Sequence, residues 1–192
     1  VSRLDLVVGP NGAGKSTFVR LTLAARRPGV PFVNADLLAA QRWPDPAEAM
    51  RRAAEAAEMA HSVRERLLAD RREFIAETVA SHPSKVDLVA QAARAGYYIA
   101  VHVVLVPEDL AVHRVARRVQ AGGHPVPEEK IRARYQRLWT HVAAMVPLAD
   151  AVECYDNSGD RPRTVASFVG GEAVGLARWP DWTPDVLARL TE

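Results

Sequence analysis

Gly9-Pro-Asn-Gly-Ala-Gly14-Lys15-Ser16 places four residues between Gly9 and Gly14 and follows the second at once with a lysine and a hydroxyl. A glycine-rich loop of this spacing wraps phosphates with its backbone N–H groups at a helix N-terminus. Its lysine reaches the β and γ phosphates, and its hydroxyl meets Mg²⁺. The residues predicted to bind ATP are Gly9, Asn11, Gly12, Ala13, Gly14, Lys15, Ser16 and Thr17, with Ser16 as the Mg²⁺ ligand. Asn157 and Ser158 follow a later strand, where the base-contacting loop of P-loop kinases is expected by analogy.

Two carboxylates fall just past predicted strand ends. Asp36 follows Val30-Pro-Phe-Val-Asn34 and is a candidate general base, since a carboxylate on the ligand edge of a parallel sheet can reach a substrate hydroxyl. It can equally cap a helix from Leu37 to Gln41. Glu77 closes Phe74-Ile-Ala-Glu77 and precedes Thr78; the pair is placed to hold substrate hydroxyls or a magnesium-bound water, or Glu77 serves as a capping or surface-paired carboxylate. Arg114, Arg117 and Arg118 share one helix at spacings of three and four, and Arg132, Arg134 and Arg137 follow on the next. Guanidinium groups grip phosphate oxygens in a fixed fork and neutralise charge during transfer, or the cluster is a solvated basic face.

The elements that must position these groups alternate along the chain. Arg3–Val8 reads as a buried parallel strand, and Ser16 to Ala25 as the helix after it. Asp45-Pro46-Ala47-Glu48 combines an Asp cap, Pro at the first helical position and Glu at the third, which predicts one long helix with a thin apolar stripe through Met50, Ala53, Ala57, Ala60 and Leu67. A helix from about Pro83 to Arg94 stops at Gly96. Tyr97 to Val106 is the strongest strand and should lie centrally; Ala151–Tyr155 is a fifth and Arg163–Val169 a sixth. This order predicts an α/β fold: a three-layer P-loop kinase domain over residues 1–192, with a mostly parallel five- to six-stranded sheet and an arginine-rich helical lid over about 108–140. The turn Gly122-Gly-His124-Pro125 is a candidate hinge for that lid, and Trp179 and Trp182 read as packing anchors.

Other classes lack their marks. No Asn-Lys-x-Asp run announces a guanine-specific GTPase, and no apolar strand ends in Asp as in helicase and transporter ATPases. The 48% apolar and 25% charged composition is that of an ordinary globular chain, and a net charge of +2 does not announce a nucleic-acid binder. The arginines are interspersed with Glu108, Asp109, Glu128 and Glu129, so nucleic acid is not an expected partner; a nucleotide-gated binding module stays open as an alternative. No apolar run approaches the length that spans a bilayer, no histidine or cysteine set has zinc spacing, and the lone Cys154 fits a reducing cytoplasm.

The chain resembles the zeta toxins and their kinase relatives. The segments that carry the likeness are Gly9-Pro-Asn-Gly-Ala-Gly-Lys-Ser-Thr17, Val33-Asn34-Ala35-Asp36, Phe74-Ile-Ala-Glu77-Thr78, Arg118-Val-Gln-Ala-Gly-Gly-His124-Pro-Val-Pro127 with Ile131-Arg-Ala-Arg134-Tyr135, and Tyr155-Asp-Asn-Ser158. The resemblance implies a kinase that phosphorylates a sugar hydroxyl of UDP-N-acetylglucosamine. Asp36, Lys15, Arg118 and Arg134 would be catalytic, the two arginines sensing the γ-phosphate. Asn34, Glu77 and Thr78 would touch substrate, although Val79 stands where relatives often carry a second threonine. It also implies an antitoxin that blocks the nucleotide site. Acceptor choice is expected to lie in Asn34 to Leu38, Glu77 to Ser81 and the long helix between them; another small alcohol remains the alternative.

Overall fold

The computed structural model describes residues 1–123 and 125–192; the proposed hinge residue His124 lies outside the described residues. Strand β1 (Arg3–Val8) leads through the glycine loop into α1 (Lys15–Phe18), which continues as a π-helical turn over Val19–Leu23 and ends in α2 (Ala24–Arg26). Then follow β2 (Phe32–Val33), α3 (Ala35–Arg42), α4 (Pro46–Arg51), α5 (Ala53–Ala69), β3 (Phe74–Thr78), α6 (Ser84–Arg94), β4 (Tyr98–Leu105), α7 (Glu108–Gln120) and α8 (Glu128–Met145). The chain closes with β5 (Ala151–Asp156), β6 (Arg163–Val169), β7 (Glu172–Ala173) and α9 (Asp185–Ala188).

Among the described residues, seven strands join one sheet in the order β2-β3-β1-β4-β5-β6-β7. The first five are parallel, and β6 and β7 run antiparallel at one edge. The seventh strand exceeds the expected five or six. It exists because Gly170 and Gly171 both take positive φ, 57° and 87°, which lets a two-residue turn fold Glu172 and Ala173 back on β6.

The period of two along each strand sorts side chains between the two faces. Leu4, Leu6 and Val8 of β1, with Phe74, Ala76, Ile99, Val101, Val103 and Leu105, join the larger core under α6, α8 and α9. Val7, Ile75 and Val104 point the other way, against Phe18, Val19, Leu23 and Ala111 of α1, the π-helical turn and α7. Trp179 and Trp182 pack against the larger core, as expected of anchors.

Local capping differs from expectation in two places. The long helix predicted from Pro46 breaks at Arg52, whose φ and ψ of −98° and 20° separate α4 from α5; Asp45 does cap α4, accepting the Ala47 N–H at 3.0 Å. The buried stripe of α5 runs through Ala56, Ala60, Arg64, Leu67 and Leu68, leaving Met50, Ala53 and Ala57 exposed. The cap of α3 is Asn34, whose side-chain oxygen accepts the Leu37 N–H at 3.1 Å, so Asp36 is not needed there and sits in the first turn.

Candidate active site

The glycine loop lies flat against the C-terminal edge of the sheet. Gly9 and Gly12 have φ of 151° and 77°, and a Cβ at either would enter the shell of a backbone carbonyl oxygen, that of Val104 for Gly9 and of Ala111 for Gly12. Only glycine permits both the backbone angle and the approach. Asn157, just past β5, donates its side-chain N–H to the Ala13 carbonyl at 2.7 Å and so clamps the loop from the other side. Gly9 and Ala13 thus shape the loop from beneath, while Asn11, Gly12, Gly14, Lys15, Ser16 and Thr17 line a cavity of about 430 Å³. The loop therefore fits a polyphosphate: it leads directly into the N-terminus of α1 with a lysine beside it.

Lys15 is buried and its Nζ donates to the Pro10 carbonyl at 2.9 Å. Burial lowers its pKa, while the nearby charges of Glu77 and Asp36 favour the ammonium form. One step away, the Ser16 hydroxyl donates to Glu77 Oε2 at 2.8 Å, and Asn34 Nδ2 donates to the same oxygen at 2.8 Å. Ser16 and Glu77 together present the hard oxygen donors that Mg²⁺ prefers, so the residues fit that ion beside a phosphate chain.

From the predicted lid, Arg114 and Arg118 of α7 and Arg134 of α8 face the same cavity. Arg134 reaches the loop itself, with Nη1 at 3.4 Å from Asn11 Oδ1, and burial lowers its pKa against the opposing charge of Asp36. Arg114 donates to the carbonyls of Asn157 at 2.9 Å and Ser158 at 3.4 Å, which fixes the segment after β5. The helices are locked at their base, because the Tyr135 hydroxyl donates to the Val106 carbonyl at 3.0 Å and Gln136 donates to Glu108 at 2.7 Å. Arg132 turns away into ion pairs with Asp109, Glu128 and Glu108, and neither Arg117 nor Arg137 lines the cavity.

Asn34, Asp36, Glu77 and Thr78 give the same cavity a wall at the ends of β2 and β3. The structure thus brings together the phosphate loop, Asp36, Glu77 and Thr78, Arg118 and Arg134 around one space. Sequence reasoning did not single out Arg64 and Lys85, which share that wall with Ser81. The signals were there. Position 64 falls four after Ala60 and three before Leu67 on the stripe of α5, where a charge is out of place, and Lys85 lies in the first turn of α6, where a cation opposes the helix dipole.

Strand order, layers and phosphate loop define a three-layer P-loop kinase fold. A profile of the family described as AAA domain matches residues 4–141, and the chain belongs to that family. No curated protein matches the sequence at a significant level. Among solved structures, the AvrRxo1-ORF1:-ORF2 complex with ATP aligns at a TM-score of 0.72 and 14% identity, covering 90% of this chain and 60% of that one. The chain therefore spans about three fifths of the length of that relative. The PezAT chromosomal toxin-antitoxin system of Streptococcus pneumoniae aligns at 0.66 and 15% identity, over 100% of this chain and 77% of that one. Shikimate kinase from Acinetobacter baumannii, in complex with shikimate, aligns at 0.50 and 19% identity, over 78% and 81%. At these identities the likeness is one of fold. Among the described residues, no helix is long and apolar enough to cross a membrane.

Proposed function

We propose that this chain is an ATP-dependent phosphotransferase of the zeta-toxin type, acting on a hydroxyl of a nucleotide sugar such as UDP-N-acetylglucosamine. The observation that carries the reading is that one cavity is lined by Lys15 of the phosphate loop, by Arg118 and Arg134, and by Asp36, whose charge acts on both Lys15 and Arg134. Cations that can hold a triphosphate, beside a carboxylate that can take a hydroxyl proton, match the two halves of phosphoryl transfer.

The backbone N–H groups of Gly12 to Ser16 and the Lys15 ammonium hold the β and γ phosphates. Asp36 accepts the proton of the acceptor hydroxyl as its oxygen bonds to the γ phosphorus. The bond from that phosphorus to the β–γ bridging oxygen breaks, and ADP leaves with the electron pair. Arg118 and Arg134 neutralise the charge spread over the transferred group, and Arg114 and Asn157 position the nucleotide's other end. Ser16 and Glu77 would hold Mg²⁺, which when bound screens the phosphate charges. Asn34 and Thr78 complete the acceptor wall.

The likeness to PezAT and to the AvrRxo1-ORF1:-ORF2 complex also supports a second protein, an antitoxin covering the nucleotide site, as partner. The test is mass spectrometry of reactions with Mg·ATP and UDP-N-acetylglucosamine, comparing the intact protein with Asp36→Ala. Phosphorylated UDP-N-acetylglucosamine that disappears in the variant supports the reading. ATP hydrolysis without transfer, unchanged by the variant, overturns both the acceptor and the role of Asp36.

A further inference from the structure

Arg64 projects from α5 into the cavity wall and is only 4% exposed, yet its Nε has no hydrogen-bond partner and no carboxylate pairs with it among the described residues. A guanidinium taken out of water without an anion is destabilising by several kcal/mol. Such groups are ordinarily paired. Here the neighbour makes matters worse: among the described residues Lys85, half-buried on the same wall, forms no ion pair with a carboxylate, and the charge of Arg64 acts against it. Burial lowers the pKa of both groups. The carboxylates of Asp36 and Glu77 stand elsewhere in the same cavity, yet among the described residues neither pairs with Arg64 or Lys85, which leaves these two cations open to an anion from outside.

The location says which molecule brings that anion. In the sheet, β3 separates β2 from β1, and the phosphate loop follows β1. Arg64, Ser81 and Lys85 belong to α5, to the segment after β3 and to the first turn of α6, the elements that flank β3 in the chain, whereas the nucleotide loop follows β1. The eleven-residue α6 directs its N-terminus, with the positive end of its dipole, to the same segment. Two cations, a hydroxyl and a helix N-terminus suit a doubly charged phosphoryl group better than a singly charged carboxylate.

We infer that Arg64 and Lys85 form a phosphoryl-binding subsite for the acceptor, so that the substrate is a phosphorylated alcohol, either a simple phosphate ester or a nucleotide diphosphate, rather than a neutral one. This rests on the kinase reading for its role in turnover, but the subsite itself can be measured without turnover.

The protein is first saturated with magnesium and a non-hydrolysable ATP analogue, which fills the nucleotide loop, and is then titrated with inorganic phosphate and, separately, with malonate while thermal unfolding is followed. The expected result is a rise in Tm with phosphate in the intact protein that is lost in Arg64→Gln and in Lys85→Met, with nucleotide affinity changed by less than about twofold. In the ligand-free protein, Arg64→Met should raise Tm, because it removes an unpaired buried charge; a structural arginine would give a fall. Equal phosphate shifts in intact protein and variants, a response to malonate alone, or a lower Tm for ligand-free Arg64→Met each overturn the subsite. Competition by N-acetylglucosamine 1-phosphate against UDP-N-acetylglucosamine then separates the simple ester from the nucleotide diphosphate. A phosphate shift without any transfer in the mass-spectrometric assay would retain the subsite and reject the kinase reading; transfer without the shift would do the reverse.

Discussion

The Ser16 hydroxyl donates to the Glu77 carboxylate across 2.8 Å, joining the first turn after the phosphate loop to the end of the neighbouring strand. Asn34 adds a second hydrogen bond to the same carboxylate oxygen, from the cap of α3. Three segments far apart in the chain therefore meet at one oxygen, and they are the segments that supply nucleotide, metal and acceptor contacts in the proposed reaction.

Glu77→Gln keeps the shape and removes the charge. Turnover is expected to fall by about 100-fold, in the range seen when one preorganised electrostatic group is lost. The Mg²⁺ concentration for half-maximal rate should rise as well, whereas nucleotide affinity measured without Mg²⁺ should stay near that of the intact protein. Initial rates over a Mg²⁺ series, together with calorimetric titration in chelator, check both halves.

Glycines of the loop are predicted to differ from glycines elsewhere. Gly12→Ala meets the Ala111 carbonyl in a left-handed conformation, so nucleotide affinity should drop at least tenfold as the loop shifts. Gly96→Ala has a φ of 75° but open space around it, so it should lower stability by about 1 kcal/mol and leave nucleotide affinity alone. Titration calorimetry and urea unfolding of the two variants separate these outcomes.

Tyr135 ties α8 to the end of β4, and burial, reinforced by Glu108, pushes its phenol up to about 12. Tyr135→Phe loses one buried hydrogen bond and strands the Val106 carbonyl, for an expected loss of about 1 to 2 kcal/mol in urea unfolding. Because Arg134 stands next to it on the same helix, KM for ATP should rise in the same variant.

Asp5, fully buried in the middle of β1, accepts hydrogen bonds from Arg3, Arg27 and His102. Burial pushes its pKa up, but the hydrogen bonds and charges of His102 and Arg3 prevail and hold it at about 2, below the ordinary carboxylate value of 3.8. The folded value lies below the unfolded one, so this stabilisation, about 2 kcal/mol, is present above about pH 4 and is lost as pH falls toward 2. In urea unfolding, the stability gap between the intact protein and Asp5→Asn should shrink by roughly half that amount by pH 3. A gap that stays constant with pH would count against the assignment.

The parallel part of this fold was legible because its signals are local. Apolar runs such as Tyr97 to Val106 end at punctuating residues, and the glycine loop carries its own spacing. The breaks in regularity were less legible. Arg52 interrupts a helix that composition favours throughout, where its guanidinium lies over the Trp43 ring and pairs with Glu48 and Glu55, contacts that no local sequence signal announces. Within the site, Lys15, Ser16 and Asp36 could be picked from motif and position, since each follows a strand end. Arg118 and Arg134, singled out through the family resemblance, both line the cavity; spacing alone could not separate Arg114, which also lines it, from Arg117, which does not, a choice set by the rotation of α7 against the sheet. Arg64 needed the third dimension most, as only the convergence of α5 with the segment after β3 makes its isolation visible.

The clamp between Asn157 and the Ala13 carbonyl bears on how fast the site can be filled. A loop braced against β4, α7 and the tail of β5 has little conformational freedom left to surrender when a ligand arrives. Nucleotide capture should then be governed by diffusion and by the pull of the surrounding cations on a polyanion, so the association rate should fall steeply with ionic strength. Any slow step in the cycle would have to lie elsewhere, in the departure of product or in the acceptor's half of the cavity.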